Sequence, residues 1–86
     1  MLKPKKKREA NVKKARLGIS KRLAKVRGDR SQRAFARDLG VFQQNVNRYE
    51  TGSATPHVAF LIVLSKKEKV SIDWLLTGKG PMKASA

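Results

Sequence analysis

An all-α fold, a compact bundle of five short helices, is what this 86-residue chain predicts. Three observations lead there. Apolar residues recur at i, i+4 and i+7 in successive segments, as one face of a helix requires. Glycines stand just past the ends of those segments, where a helix stops most easily. Strand-like alternation, heptads and internal repeats are missing from the chain. Its length allows one modest core and leaves little area for an enclosed cavity, so a single domain is expected.

The first helix carries Ile19, Leu23 and Val26 on one face and ends at "RGDR", residues 27–30. The second begins at Ser31, whose hydroxyl is placed to cap the first-turn N–H groups, and buries Ala34 or Phe35, Ala36 and Leu39. Gly40 closes it, because glycine takes positive φ without a Cβ clash. The third runs from near Phe42 to Tyr49 or Glu50, with Phe42, Val46 and Tyr49 as inner positions and Gly52 as its stop. In "SATPHVAF" Thr55 is the expected cap and Pro56 the first residue of a fourth helix. "SIDWLLTGKGP" gives a fifth, stopped at Gly78 and kept from resuming by Pro81.

Charge narrows the partner. The chain holds 21 Lys and Arg against 6 Asp and Glu, a net charge of +15. Residues 1–16 carry 8 basic and 1 acidic side chain, and residues 17–86 carry the other 13 and 5. The excess is thus divided between arm and body, +7 and +8, which points to a polyanion and favours nucleic acid. Residues 1–16 have few large apolar groups and repel one another, so a disordered basic arm is expected there, with the folded domain at 17–81 and a short tail at 82–86. "PKKKRE" also looks like a nuclear-import signal, a pattern common in lysine-rich stretches.

The chemistry absent from the sequence matters as much. With no cysteine and one histidine, His57, there is no thiolate zinc site, thiol nucleophile or His dyad, and no cofactor or metal is expected. Neither a carboxylate pair nor a phosphate-cradling glycine loop stands out, which argues against an enzyme and a small-molecule substrate. The uncharged run Gly52–Ser65 is too short to span a bilayer, and the basic N-terminus leads into no apolar signal segment.

The third helix carries the functional signal. Gln43, Gln44, Asn47 and Arg48 fall at i, i+1, i+4 and i+5, on a surface turned away from Val46 and Tyr49. Solubility explains such a face poorly, because Lys and Glu serve it with better helix propensity than Asn. Amides, however, both donate to and accept from adenine in the major groove, and arginine forks onto guanine. Ala36, Gly40 and Val46 stand at the spacing of a helix-turn-helix: a small residue at the crossing, a turn glycine, and an apolar anchor. Arg33 near the start of the second helix is placed for phosphate, Arg37 for solvent, and Asn45 points sideways toward phosphate or solvent. Lys13, Lys14 and Arg16 read either as part of a solvated tail or as an arm on DNA phosphates.

"SQRAFARDLGVFQQNVNRYETG" followed by "SIDWLLTGKGP" resembles the DNA-binding domain of lambdoid-phage repressors, Cro proteins and the wider Xre group, over residues 17–81. The resemblance implies that Gln32 holds a phosphate and braces the third helix, that Gln43 and Gln44 read bases with Asn47 and Arg48 one turn later, and that Glu50 pairs with Arg27. It implies a homodimer on double-stranded DNA, joined through the fifth helix and the end of the fourth, with Val63, Trp74 and Leu75 as candidate contacts. Val63 is equally readable as core, and Trp74 with Leu75 and Leu76 reads as core or dimer contact. A cytoplasmic, bacterial or phage-encoded repressor on a pseudo-palindromic operator is the expected function. Three departures stand out. Glu68 within "KKEK" stands where the family has a core leucine, which suggests that the fourth helix frays early. Phe42 occupies a position usually Ser or Thr, and the loop after Gly52 offers Ser53 and backbone amides to phosphate where a Lys or Arg is common. The competing functions are a sequence-indifferent nucleic-acid binder led by its tail, and an antitoxin or adaptor using the Val63–Trp74 region against another protein.

Overall fold

The computed structural model describes residues 3–84, with side chains from Ala10 onward. Five helices follow one another: α1 Lys3–Arg27, α2 Gln32–Leu39, α3 Gln43–Thr51, α4 Val58–Glu68 and α5 Ile72–Thr77. No strand occurs among the described residues, and one isolated antiparallel bridge joins Val70 to Lys83. The five-helix, all-α expectation holds.

The core forms where the apolar faces converge. Ile19, Leu23 and Val26 of α1, Phe35, Ala36 and Leu39 of α2, and Val46 and Tyr49 of α3 are all buried. They meet Phe60 and Leu64 of α4, Val70, and Trp74 and Leu75 of α5. Helix α1 packs on α3 and α5, while α2 packs on α3 and α4, so α3 is clasped between the first two helices.

The turn that aims α3 is built from backbone. Gly40 has φ 74°, its N–H donates to Arg37 O (3.2 Å), and the Val41 N–H reaches back to Ala36 O (3.0 Å). These paired bonds close α2 with a left-handed residue that glycine adopts without strain. At the other end of α3, Gly52 has φ 79°, and a Cβ there would come within 3.3 Å of the Leu17 side chain. Glycines thus flank α3, one making the sharp turn that precedes it and one allowing the close approach to α1 at its end.

Four expectations need correction. Helix α1 runs back to Lys3, so the boundary expected at residue 16 falls inside it. Lysine, arginine and alanine are good helix formers, and extending an existing helix is far cheaper than nucleating one. Helix α4 starts at Val58 rather than Pro56: the Tyr49 hydroxyl accepts the His57 N–H (3.3 Å), and the His57 Nδ1 accepts from Ala59 N (3.2 Å), making His57 the cap in place of Thr55. Glu68 does not mark fraying, because it is held by Arg30 while Lys69, at φ 57°, closes the helix. The segment expected as a tail at 82–86 is tied to the body at its start: Ser71 N donates to Met82 O (2.8 Å) and Ala84 N to Lys69 O (2.9 Å). Residues 1–2 and 85–86, the ends of the expected arm and tail, lie outside the described residues.

Candidate nucleic-acid interface

The α3 surface is organised by one buried carboxylate. Glu50, at the end of α3, has a side chain only 6% exposed and receives Arg27 of α1 through two bonds, Nε to Oε2 at 2.8 Å and Nη2 to Oε1 at 3.0 Å. The hydrogen bonds it donates to Glu50 hold the Arg27 guanidinium above its already high ordinary pKa, so it stays charged throughout the range in which proteins fold. Gln32, at the first position of α2, donates its Nε2 to Glu50 Oε1 (3.1 Å), and Asn47 donates its Nδ2 to Gln32 Oε1 (3.2 Å).

Charge sets the direction of this chain of bonds. A carboxylate paired with arginine only accepts, so Gln32 must turn its NH₂ toward Glu50 and its carbonyl toward Asn47. Asn47 must then donate to Gln32, leaving its Oδ1 and its second N–H for whatever lies outside. One acceptor and one donor side by side match the adenine edge. Gln32, Phe42, Gln43, Gln44 and Asn47 line one shallow hollow of about 430 Å³. Gln43, Gln44 and Arg48 are exposed beside it.

The remaining expected residues divide. Arg33 is exposed and in no ion pair among the described residues, as is Arg48. Ser53 is exposed, with its hydroxyl donating to Arg48 O (3.2 Å) and 2.9 Å from Thr51 Oγ1. Asn45 is half-buried and turns toward a groove lined by Tyr49, Phe60 and Val63. Lys13 and Lys14 are exposed on α1, and Lys14 borders a separate hollow with Leu76 and Thr77. Arg16 is half-buried, its Nε without a hydrogen-bond partner.

Phe42 departs most from expectation. It was placed among the inner positions of the third helix, yet it is 77% exposed. The reason is backbone: Phe42 is the N-cap, with extended φ −74° and ψ 136°, so the helical wheel does not govern its direction. It also gives α3 no side-chain cap. Replacing it with serine, Phe42→Ser, should therefore stabilise the fold by about 1 kcal/mol, since a capping oxygen is gained and little apolar burial is lost. A urea titration that shows no gain would mean that the ring packs better than its exposure implies.

Trp74 and Leu75, readable from the sequence as core or as a subunit contact, are 9% and 0% exposed and belong to the core of the single chain. Val63 is half-buried against that core. Apolar side chains do stand exposed nearby: Val58 (66%) and Ile62 (51%) on α4, and Leu76 on α5.

Two arginines carry roles that the sequence reading did not assign. Arg30 forks onto Glu68 (Nη2 to Oε1 2.9 Å, Nη1 to Oε2 3.1 Å), reaches Asp38 (3.2 Å), donates to Val26 O and Arg27 O, and lies 4.7 Å over the Phe35 ring. It ties α1, α2 and α4 into one frame, and the bonds it donates to Glu68 raise its pKa further. Arg22 donates to Leu75 O (2.7 Å) and Leu76 O (3.2 Å), answering the free carbonyls at the end of α5. A lone acid amid lysines, Glu68 in "KKEK", was the available signal for the first. Nothing local announced the second.

The model of the helix-turn-helix family of lambda repressor-like, Xre-type domains matches residues 21–75, from within α1 to within α5. The chain belongs to that family. No curated protein and no solved structure matches the chain. The helix-turn-helix is α2, the Gly40 turn and α3, and it makes this a DNA-binding domain of a family that is typically non-enzymatic. No helix among the described residues is long and apolar enough to cross a membrane.

Proposed function

We propose that the chain is a transcriptional regulator that binds double-stranded DNA in a sequence-specific manner, a repressor acting as a homodimer on a pseudo-palindromic operator. The observation that carries this reading is the bond chain Arg27, Glu50, Gln32, Asn47, which fixes one amide of α3 while Gln43, Gln44 and Arg48 stand open beside it. Such pre-orientation costs nothing on non-specific DNA and adds nothing to it; its benefit appears only where base edges are matched. In this reading Gln43, Gln44, Asn47 and Arg48 read bases. Gln32, Arg33, Asn45, Ser53, Lys13, Lys14 and Arg16 meet phosphates, and the cytoplasm, where DNA is reached directly, is the place of action.

A single domain of this size reads few base pairs, so selectivity calls for two copies related by a two-fold axis. With Trp74 and Leu75 in the core, the self-contact falls to the exposed apolar side chains Val58, Ile62 and Leu76. The +15 charge opposes pairing in free solution, and DNA phosphates relieve it, so the dimer should form chiefly on the operator.

Selection of bound duplexes from a random library tests the reading, with a palindromic consensus as the expected outcome. On that consensus Gln44→Ala should cost about 1 to 3 kcal/mol and alter the preferred base at one position of each half-site. An equal loss on consensus and random DNA would remove Gln44 from the readers. Failure of any duplex to outcompete scrambled DNA would remove the regulator.

A further inference from the structure

Phe42 is the most exposed large apolar side chain of the described residues, and it stands at the mouth of the amide hollow rather than on the back of the domain. Its neighbours there are Gln32, Gln43, Gln44 and Asn47, all of them amides. An aromatic ring left in water beside four amides is unfavourable for the free protein, and the position gives up a helix cap as well. Two local disadvantages at one residue suggest a gain made only in the complex.

The major groove offers one apolar group for such a ring. Base edges there present donors and acceptors, which amides match, and the 5-methyl group of thymine, which they do not. Resting on the proposed major-groove reading, we infer that Phe42 is a further specificity-determining residue, which packs its ring against a thymine 5-methyl at the edge of the sequence read by Gln43 and Gln44. The backbone supports this placement. Phe42 O accepts from Asn45 N (3.1 Å) and Val46 N (3.5 Å), so the residue is anchored to the first turn of α3 and moves with the readers. Its backbone position is thus set by α3 rather than by a loose loop. The ring's other edge borders the groove with Tyr49, Phe60 and Val63, where a protein segment is the rival occupant.

Deoxyuridine separates these possibilities, because it removes the methyl and keeps every hydrogen-bonding group of thymine. On the duplex selected by the wild-type protein, each thymine is replaced in turn and affinity is measured for the wild type and for Phe42→Ala. One thymine in each half-site should lose about 3- to 10-fold for the wild type when changed to deoxyuridine. Phe42→Ala should show a similar loss on the thymine duplex and no further loss on the deoxyuridine one, the non-additivity expected of two groups in contact. Moving the methyl to 5-methylcytosine in a C·G pair should restore part of the ring's contribution at that step. The inference is overturned if the wild type tolerates every deoxyuridine, or if the two losses simply multiply. It is also overturned if Phe42→Ala binds all duplexes as the wild type does, which would assign the ring to a protein contact along the groove. If the wild type selects no duplex at all, the major-groove reading fails first and this inference falls with it, a result visible before any deoxyuridine is made. Thermal melting of Phe42→Ala, expected to match the wild type because the ring is exposed, guards against a folding defect.

Discussion

Arg27→Ala should lower the free energy of unfolding by about 3 to 5 kcal/mol, as measured by the urea midpoint, because it leaves a buried carboxylate without its counter-charge. The Glu50 side chain is 6% exposed, and its other donor, Gln32, is neutral. Water reaches it too little to replace the guanidinium. The variant also loses the bond from Arg27 Nη1 to Arg30 O (2.7 Å), which links the two arginines of the α1–α2 turn. Arg27→Lys should recover only part of the loss, since an ammonium cannot make the paired Nε and Nη2 bonds. The decisive comparison is Arg27→Ala combined with Glu50→Leu. Removing both charges should cost less than Arg27→Ala alone, because the penalty comes from the orphaned charge rather than from the missing attraction. A single-variant midpoint equal to that of the wild type would show that Glu50 is solvated after all. The same variant should blunt sequence preference in whatever fraction remains folded. Without the guanidinium to fix the carboxylate in place, the direction of the Gln32 and Asn47 amides is no longer dictated.

This pair was legible from the resemblance in the sequence, and so was most of the frame around it. Ile19, Leu23 and Val26 lie on one face because a helix continues through all three, so their periodicity translates directly into burial. Gly40 and Ser31 act through local backbone chemistry, and the residue alone announces it. Legibility ends where the backbone leaves the helix or where contacts span distance. Phe42 was counted inside because a wheel was drawn through a residue with extended φ and ψ. His57 displaced Thr55 as a cap because the Tyr49 hydroxyl, eight positions earlier, takes its N–H. The bonds of Arg30 to Glu68 join residues 38 positions apart, and no spacing rule reaches so far. Trp74 and Leu75 show another kind of ambiguity. Apolar character is the same whether a partner subunit or α1 covers the side chain, and the pattern cannot say which. The bridge of Val70 with Lys83 is made by backbone, which leaves no side-chain signature at all.

Salt should weaken operator binding more than any single substitution. In the proposed interface Lys13, Lys14, Arg16 and Arg33 are the cations at phosphates, while Gln32, Asn45 and Ser53 are neutral and release no counterions. Two copies then place about eight cations on the duplex, for a slope near −7 and a loss of about 10⁴-fold between 50 and 200 mM salt. The variants should sort by the kind of contact they remove. Lys14→Ala should flatten the slope by about 2 for the pair and weaken consensus and random duplexes alike, whereas Gln44→Ala should keep the slope and lose selectivity. Arg30 is the informative control. It is as basic as the others, but Glu68 and Asp38 already neutralise it within the fold, so its charge has no condensed counterions on DNA to displace. Arg30→Gln should therefore lower stability and leave the salt slope of the folded fraction unchanged. A slope that falls equally for Arg30→Gln and Lys14→Ala would mean that net charge drives the affinity. The protein would then be a sequence-indifferent polycation, because binding by total charge has no need of a carboxylate that fixes the direction of an amide.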